Sequence, residues 1–254
     1  MLKTRIIPTL LWKDVGLVKG QRFDSSRRVG SVLPAIRIYN IRDVDEIILL
    51  DISATAQNRA PDYESIEEIA AECFVPLVIG GGVSSIEHIS GLLRCGADKI
   101  SINTSGFWNP KLIHEASSRF GAQCIVGSID FKRNNGTPEC YTNNGTVPTS
   151  KCPVRWAQEL EKLGVGEILL TSIDRDGTML GYDLEITKEV ANAVGVPVIA
   201  SGGAGEKIHF KEAFDAGASA ALAASLFHFQ LLEIGELKAY LAENGVPMRI
   251  LAKR

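Results

Sequence analysis

Two glycine-rich runs in this sequence carry the residue types of anion-binding loops. Gly80-Gly81-Gly82 follows the apolar run Leu77–Ile79, and Ser201-Gly202-Gly203 follows Val198–Ala200. Glycine lets backbone N–H groups come close to an anion, a nearby hydroxyl adds a donor, and a helix N-terminus adds partial positive charge. Polar residues recur at matching places, as Asn103-Thr104 and as Ala224-Ser225. Two such cradles suit a phosphorylated small molecule with a phosphate at each end. The plainer alternative is that the glycines only make tight strand-to-helix turns. The pairing of each run with Thr104 or Ser225 favours anion binding by Gly82, Asn103, Thr104, Gly202, Gly203, Ala224 and Ser225. A second pattern is charged. Arg5, Glu46, Lys99 and Glu167 each begin an apolar run, and two cations with two anions in one layer can close a ring of salt bridges.

These residues need a scaffold that brings distant loops together. Strand-like runs fall at Arg5–Leu10, Glu46–Asp51, Leu77–Ile79, Lys99–Asn103, Cys124–Ile129, Glu167–Thr171, Val198–Ala200 and Ala220–Ala223. Most are continuously apolar, as parallel strands buried on both faces are. Amphipathic helical stretches lie between them at Asp62–Cys73, Ile86–Cys95, Pro110–Phe120, Val154–Leu163, Leu184–Val194 and Lys207–Ala216. A closed barrel and a doubly wound sheet both fit that order. An internal repeat decides. PLVIGGGV at 76–83 matches PVIASGGA at 197–204, and GADKISINTS at 96–105 matches GASAALAASL at 217–226, both 121 positions apart. IIPTLLWK at 6–13 matches IVGSIDFK at 125–132, which aligns Leu11 with Asp130. Two four-unit halves without a linker give one α/β domain over 1–254, a single (β/α)8 TIM barrel with a two-fold half-barrel repeat. In such barrels the strand C-termini carry the site, so the charged strand starts belong to the opposite face.

Composition excludes several classes. Net charge is -3 and the pI about 5.9, which is not the basic footprint of a nucleic-acid binder. No apolar stretch approaches the length of a membrane span, and no signal peptide is apparent, so a cytoplasmic protein is expected. Cys73, Cys95, Cys124, Cys140 and Cys152 form no CxxC pair and read as free thiols. No His/Cys cluster has metal-ligand spacing. Neither a metal nor a cofactor is expected. His88, His114, His209 and His228 read as scattered surface or packing residues.

The stretches IIPTL, GGGVSS, GADKISINTS, GEILLTSIDRDGT, GYDLE and IASGGAG resemble the cyclase subunit (HisF-type) of imidazole glycerol phosphate synthase nearly end to end. The resemblance implies a bisphosphorylated ribonucleotide in the mouth and a HisH-type glutaminase docked at the barrel bottom, with ammonia passing through the core. It implies two catalytic aspartates, at the ends of the first and fifth strands. Asp130 matches the second of them. Leu11 occupies the place of the first, and leucine cannot transfer a proton. Lys19, Thr171 and Asp176 match substrate-contacting positions. Arg5, Glu46, Lys99 and Glu167 match the ammonia gate, with a charged plug on the barrel floor as the alternative, and Asp98 matches a partner-contacting acid. Asp51 is read equally as structural or substrate-contacting. Trp12 makes the first-strand end more apolar than the family norm. The Lys132–Pro153 segment resembles a mobile lid, and departs from the family in detail.

An ammonia route that is kept beside a broken acid–base pair gives three readings. In the first, the chain supplies ammonia, with its glutaminase, to a separate sugar amidotransferase that builds an acetamidino group on a surface-polysaccharide sugar; SIDFK and LLWKDVGLVK resemble that branch. In the second, it is an authentic histidine-pathway cyclase that tolerates Leu11. In the third, it is a non-catalytic activator or scaffold of the glutaminase.

Overall fold

In chain order, β1 (Arg5–Lys13) is followed by a hairpin of β2 (Gly16–Gln21) and β3 (Asp24–Gly30), then α1 (Val32–Ile41). Next come β4 (Ile47–Asp51), α2 (Tyr63–Ala71), β5 (Leu77–Gly80), α3 (Ile86–Arg94), β6 (Lys99–Ile102), α4 (Thr104–Trp108) and α5 (Pro110–Phe120). The second half holds β7 (Ile125–Asn134), β8 (Thr137–Thr142), β9 (Val147–Pro148), α6 (Pro153–Leu163), β10 (Glu167–Ser172) and α7 (Leu184–Ala193). It ends with β11 (Val198–Ser201), α8 (Lys207–Asp215), β12 (Ala220–Ala223), α9 (Ser225–His228) and α10 (Ile234–Glu243). This computed structural model describes residues 3–14 and 16–250. The remainder of the expected 1–254 domain, and the side chains of Ser25 and Ser26, lie outside the described residues.

The parallel strands pair in the order β10-β11-β12-β1-β4-β5-β6-β7, and β7 pairs back onto β10, so the sheet closes on itself. All eight expected strands are barrel strands. Closure leaves the barrel no unpaired edge. Side chains alternate across the wall with the two-residue strand period. On β1, Ile6, Leu10 and Trp12 pack outward under the helices, while Ile7 joins Ile48, Val78, Val126, Leu169, Ile199, Ala220 and Leu222 in a separate inner cluster. Such an interior is a packed core.

The six expected helices form, with ends shifted by a residue or two. Asp62 caps α2 by accepting from the Ser65 N–H, which is the role that residue type favours. Helices α1 and α10 complete the expected (β/α)8 pattern at bounds the sequence did not set, and neither start uses a capping side chain. Neither Ser31 before α1 nor Glu233 before α10 makes a side-chain cap bond. Tertiary packing of Ile36, Tyr39, Leu237 and Leu241 holds them instead. The Lys132–Pro153 segment is also more regular than a lid loop. β7 continues to Asn134 and pairs with β8 from Asp130↔Tyr141 to Asn134↔Thr137.

The two chain ends meet at the foot of the barrel. Thr4 N–H donates to the Pro247 carbonyl at 2.8 Å. Lys238 of α10 is 1% exposed, and its ammonium lies 2.8 Å from Asp45 Oδ1. Asp45 Oδ2 accepts from the Ile6 N–H at 2.9 Å. A buried charge needs such pairing, so one carboxylate ties the last helix to the first strand. No helix among the described residues is long and apolar enough to cross a membrane.

Candidate active site

The strand ends opposite that foot surround a cavity of about 700 Å³. Every residue expected to bind phosphate or substrate lines it, together with Asp130 and Leu11. On β1, Ile7 and Leu11 face inward by alternation, and Leu11 reaches the mouth. Strands β1 and β7 are four steps apart in either direction round the barrel. Leu11 and Asp130 therefore stand on opposite walls of one mouth, which is the mirrored placement that the repeat predicts.

Asp130 accepts from Asn103 Nδ2 at 2.6 Å, and Thr171 lies beside it on the neighbouring strand. Burial first, and the negative charge of Asp176 second, push its pKa up to about 7. That value suits proton transfer near neutrality. Asp176, in the loop after β10, is also raised by burial; Lys19 and the Phe23 N–H at 3.3 Å oppose the shift. Lys19 lies on β2 rather than in an open loop. Its ammonium donates to the Thr9 carbonyl at 3.4 Å. Burial lowers its pKa to about 8 against the attraction of Asp176. Three titratable groups are thus coupled in one cavity, and its protons belong to the set. Asp51, by contrast, is occupied structurally. Oδ1 accepts from Ser53 N, Ser53 Oγ and Ala54 N, and Oδ2 is 2.7 Å from Arg59 Nη2.

The glycine loops have the backbone that only glycine adopts freely. Gly81, Gly82, Gly202 and Gly203 all have positive φ, between 67° and 111°. A Cβ on Gly203 would sit 2.1 Å from the Gly181 carbonyl oxygen. Gly203→Ala is therefore expected to cost about 1–3 kcal/mol, read as a thermal midpoint lowered by roughly 2–4 °C per kcal/mol. Gly235→Ala in α10, where a Cβ meets nothing within 4 Å, should leave the midpoint unchanged or raise it. The hydroxyl of Thr104 accepts from the Asn143 N–H at 3.0 Å. The β8–β9 turn thereby leans over the first cradle, which the sequence reading did not anticipate.

At the barrel floor the four strand-start charges form a closed ring. Lys99 bonds Glu46 and Glu167, both at 2.9 Å, and Arg5 bonds the same two carboxylates. Asp98 is exposed, and its Oδ2 accepts from the Leu77 N–H at 2.8 Å. It closes the start of β5 as Asp45 closes β1. Among the described residues, no group of three or more His, Cys, Asp or Glu could hold a metal ion, and all five cysteines are free.

Two residues read as bland take part in the loops. His88 Nδ1 is 3.2 Å from the Gly82 carbonyl, and His209 Nδ1 is 3.1 Å from the Gly205 N. Their spacing of 121 positions was the overlooked signal, since it is the offset that relates Pro76–Val83 to Pro197–Ala204.

Comparison with known proteins agrees with this architecture. The family described as "Histidine biosynthesis protein" matches residues 5–233. The imidazole glycerol phosphate synthase subunit HisF of Chlorobaculum parvum is 46% identical over 251 residues, covering 98% of this chain and 100% of that relative. A match of that extent, on a closed barrel whose mouth gathers the predicted residues, means that the chain belongs to the histidine biosynthesis protein family as a HisF-like barrel.

Proposed function

We propose that this chain is the ammonia-channelling barrel of a glutamine amidotransferase pair, and that its cyclase chemistry is impaired. A HisH-type glutaminase docks at the floor, and ammonia passes the Arg5–Glu46–Lys99–Glu167 ring into the core. Asp98 lies at that interface. A phosphorylated small molecule spans the two glycine cradles above. The observation that carries the reading is Leu11, which faces Asp130 across the mouth while the floor ring is complete. Ring closure needs protons both delivered and removed, so a lone carboxylate is left with half the task. The ammonia then serves a third protein, a sugar amidotransferase that amidinates a surface-polysaccharide sugar.

A second reading, an authentic histidine-pathway cyclase, has one observation in its favour. Asp176 is a second buried carboxylate close enough to raise Asp130. Reconstitution separates the two. The barrel, its glutaminase, the sugar amidotransferase and glutamine should together yield the amidinated sugar, while ring closure of the bisphosphorylated ribonucleotide stays near background. Ring closure at ordinary enzymatic rates, on the order of 1 s⁻¹ or more, would overturn the proposal.

The pH dependence follows from the cavity. Asp130 accepts a proton only when ionised, so activity that uses it falls as pH drops through about 7. Lys19 loses its charge above about 8, and with it part of the attraction for phosphate. A narrow bell between these limbs is expected for ring closure by the Leu11→Asp variant against pH. Asp130→Asn should remove the acid limb; a limb that persists in that variant assigns it elsewhere.

A further inference from the structure

We infer that His88 and His209 are paired positioning residues for the two anion cradles, each fixing the backbone of its own glycine loop. The inference rests on the phosphate reading of those loops. Both histidines occupy the third helical residue, in α3 and α8 respectively, and both imidazoles fold back onto the loop before the helix. His209 Nδ1 lies 3.1 Å from the backbone nitrogens of both Gly205 and Glu206. Two N–H donors aimed at one ring nitrogen require its lone pair, so the proton sits on Nε2. His88 Nδ1 lies 3.2 Å from the Gly82 oxygen, a carbonyl that can only accept, so here Nδ1 carries the proton and donates, and the Ser84 nitrogen at 3.3 Å is a contact rather than a bond.

His88 reaches a cradle glycine directly, and His209 reaches one through Gly181. His88 touches Gly82 itself, whose φ is 67°. The His209 ring packs on Gly181, where a Cβ would lie 3.3 Å from its Cδ2. Gly181 in turn donates its N–H to the Gly203 carbonyl at 2.8 Å. The first helix does not need its histidine as a cap, because Ser85 already accepts from the His88 N–H. The ring of His88 works on the loop instead. A loop that is held before the anion arrives loses less freedom on binding, and preorganisation of that kind appears as affinity. Neither histidine transfers a proton in this scheme. The ring nitrogens that matter are engaged by backbone.

Leucine and asparagine substitutions separate the polar contact from the bulk, since the two are nearly isosteric and only asparagine offers an amide, whose oxygen can replace the His209 acceptor and whose N–H can replace the His88 donor. Inorganic phosphate is titrated into the wild-type chain, His88→Leu, His88→Asn, His209→Leu and His209→Asn. The backbone amide resonances of Gly82 and Gly203 report each cradle separately. His209→Leu should weaken phosphate at Gly203 about 5–30-fold, the effect of one or two lost hydrogen bonds, with Gly82 unchanged. His88→Leu should do the reverse, and each asparagine variant should recover most of the loss. If a leucine variant does not fold, the serine variant at that position takes its place. Leucine variants that bind as the wild type does, or that weaken both cradles equally, overturn the positioning role while the phosphate reading stands. A wild-type chain whose glycine amides ignore phosphate overturns both.

Discussion

Leu11→Asp should raise ring closure of the bisphosphorylated ribonucleotide by about 10²–10⁴, the usual worth of one general acid or base. The site is prepared for the change. Position 11 is half-buried, lines the cavity and faces Asp130 from the opposite wall. Lys19 beneath it supplies positive charge, which limits the cost of adding a carboxylate. Leu11→Asn has the same shape without a transferable proton near neutrality and should give no gain. The measurement is ring closure with ammonium as nitrogen donor, which takes the glutaminase and the floor ring out of the assay. If the wild-type chain already turns over at the rate of Leu11→Asp, Asp176 or another group supplies the missing proton and the proposed impairment is wrong.

Lys99→Met should be the most damaging single change at the floor. Lys99 holds two carboxylates, Glu46 and Glu167, whose side chains are only 2% and 7% exposed. Removing one member of a buried charge set leaves the others uncompensated and costs roughly 3–5 kcal/mol. For a chain of this size the thermal midpoint should fall by roughly 6 °C or more. Lys99→Met combined with Glu167→Gln should cost less than the sum of the single changes, because the double variant removes opposite charges together. Strict additivity would mean that the ring is not energetically closed. The double variant also tests the gate. With stability restored, the fraction of glutamine-derived nitrogen that reaches the mouth should still change if the ring meters ammonia, and should stay constant if it is only a plug.

The parts of the molecule that repetition encodes were the most legible. The half-barrel offset paired Leu11 with Asp130 before any coordinates, and strand geometry then placed them on facing walls. Continuous apolar runs marked the barrel strands because these are buried on both faces. Helices α1 and α10 were implied by the (β/α)8 fold but not bounded in the sequence: neither Ser31 nor Glu233 makes a cap bond, and tertiary burial supplies what the sequence does not announce. The hairpin β7–β8 was hidden by its polar composition; its order comes from backbone pairing and from Lys132 stacked 4.2 Å from the Tyr141 ring. His88 and His209 are legible only through the repeat, whose offset of 121 positions separates them. Asp98 has, besides its likeness to a partner-contacting acid, a local task that the sequence did not announce, which is to hold the Leu77 amide.

The clasp between Lys238, Asp45 and the Ile6 amide bears on how the chain matures. β1 is synthesised long before one of its neighbours, β12, and the helix that secures it. Until then β1 offers a row of unpaired amides and carbonyls, the exposed edge that invites wrong pairing. The nascent barrel is thus an open sheet until β12 is made, and any event that truncates it before residue 238 leaves it without the two cations, Lys238 and Arg249, that hold Asp45 at the seam.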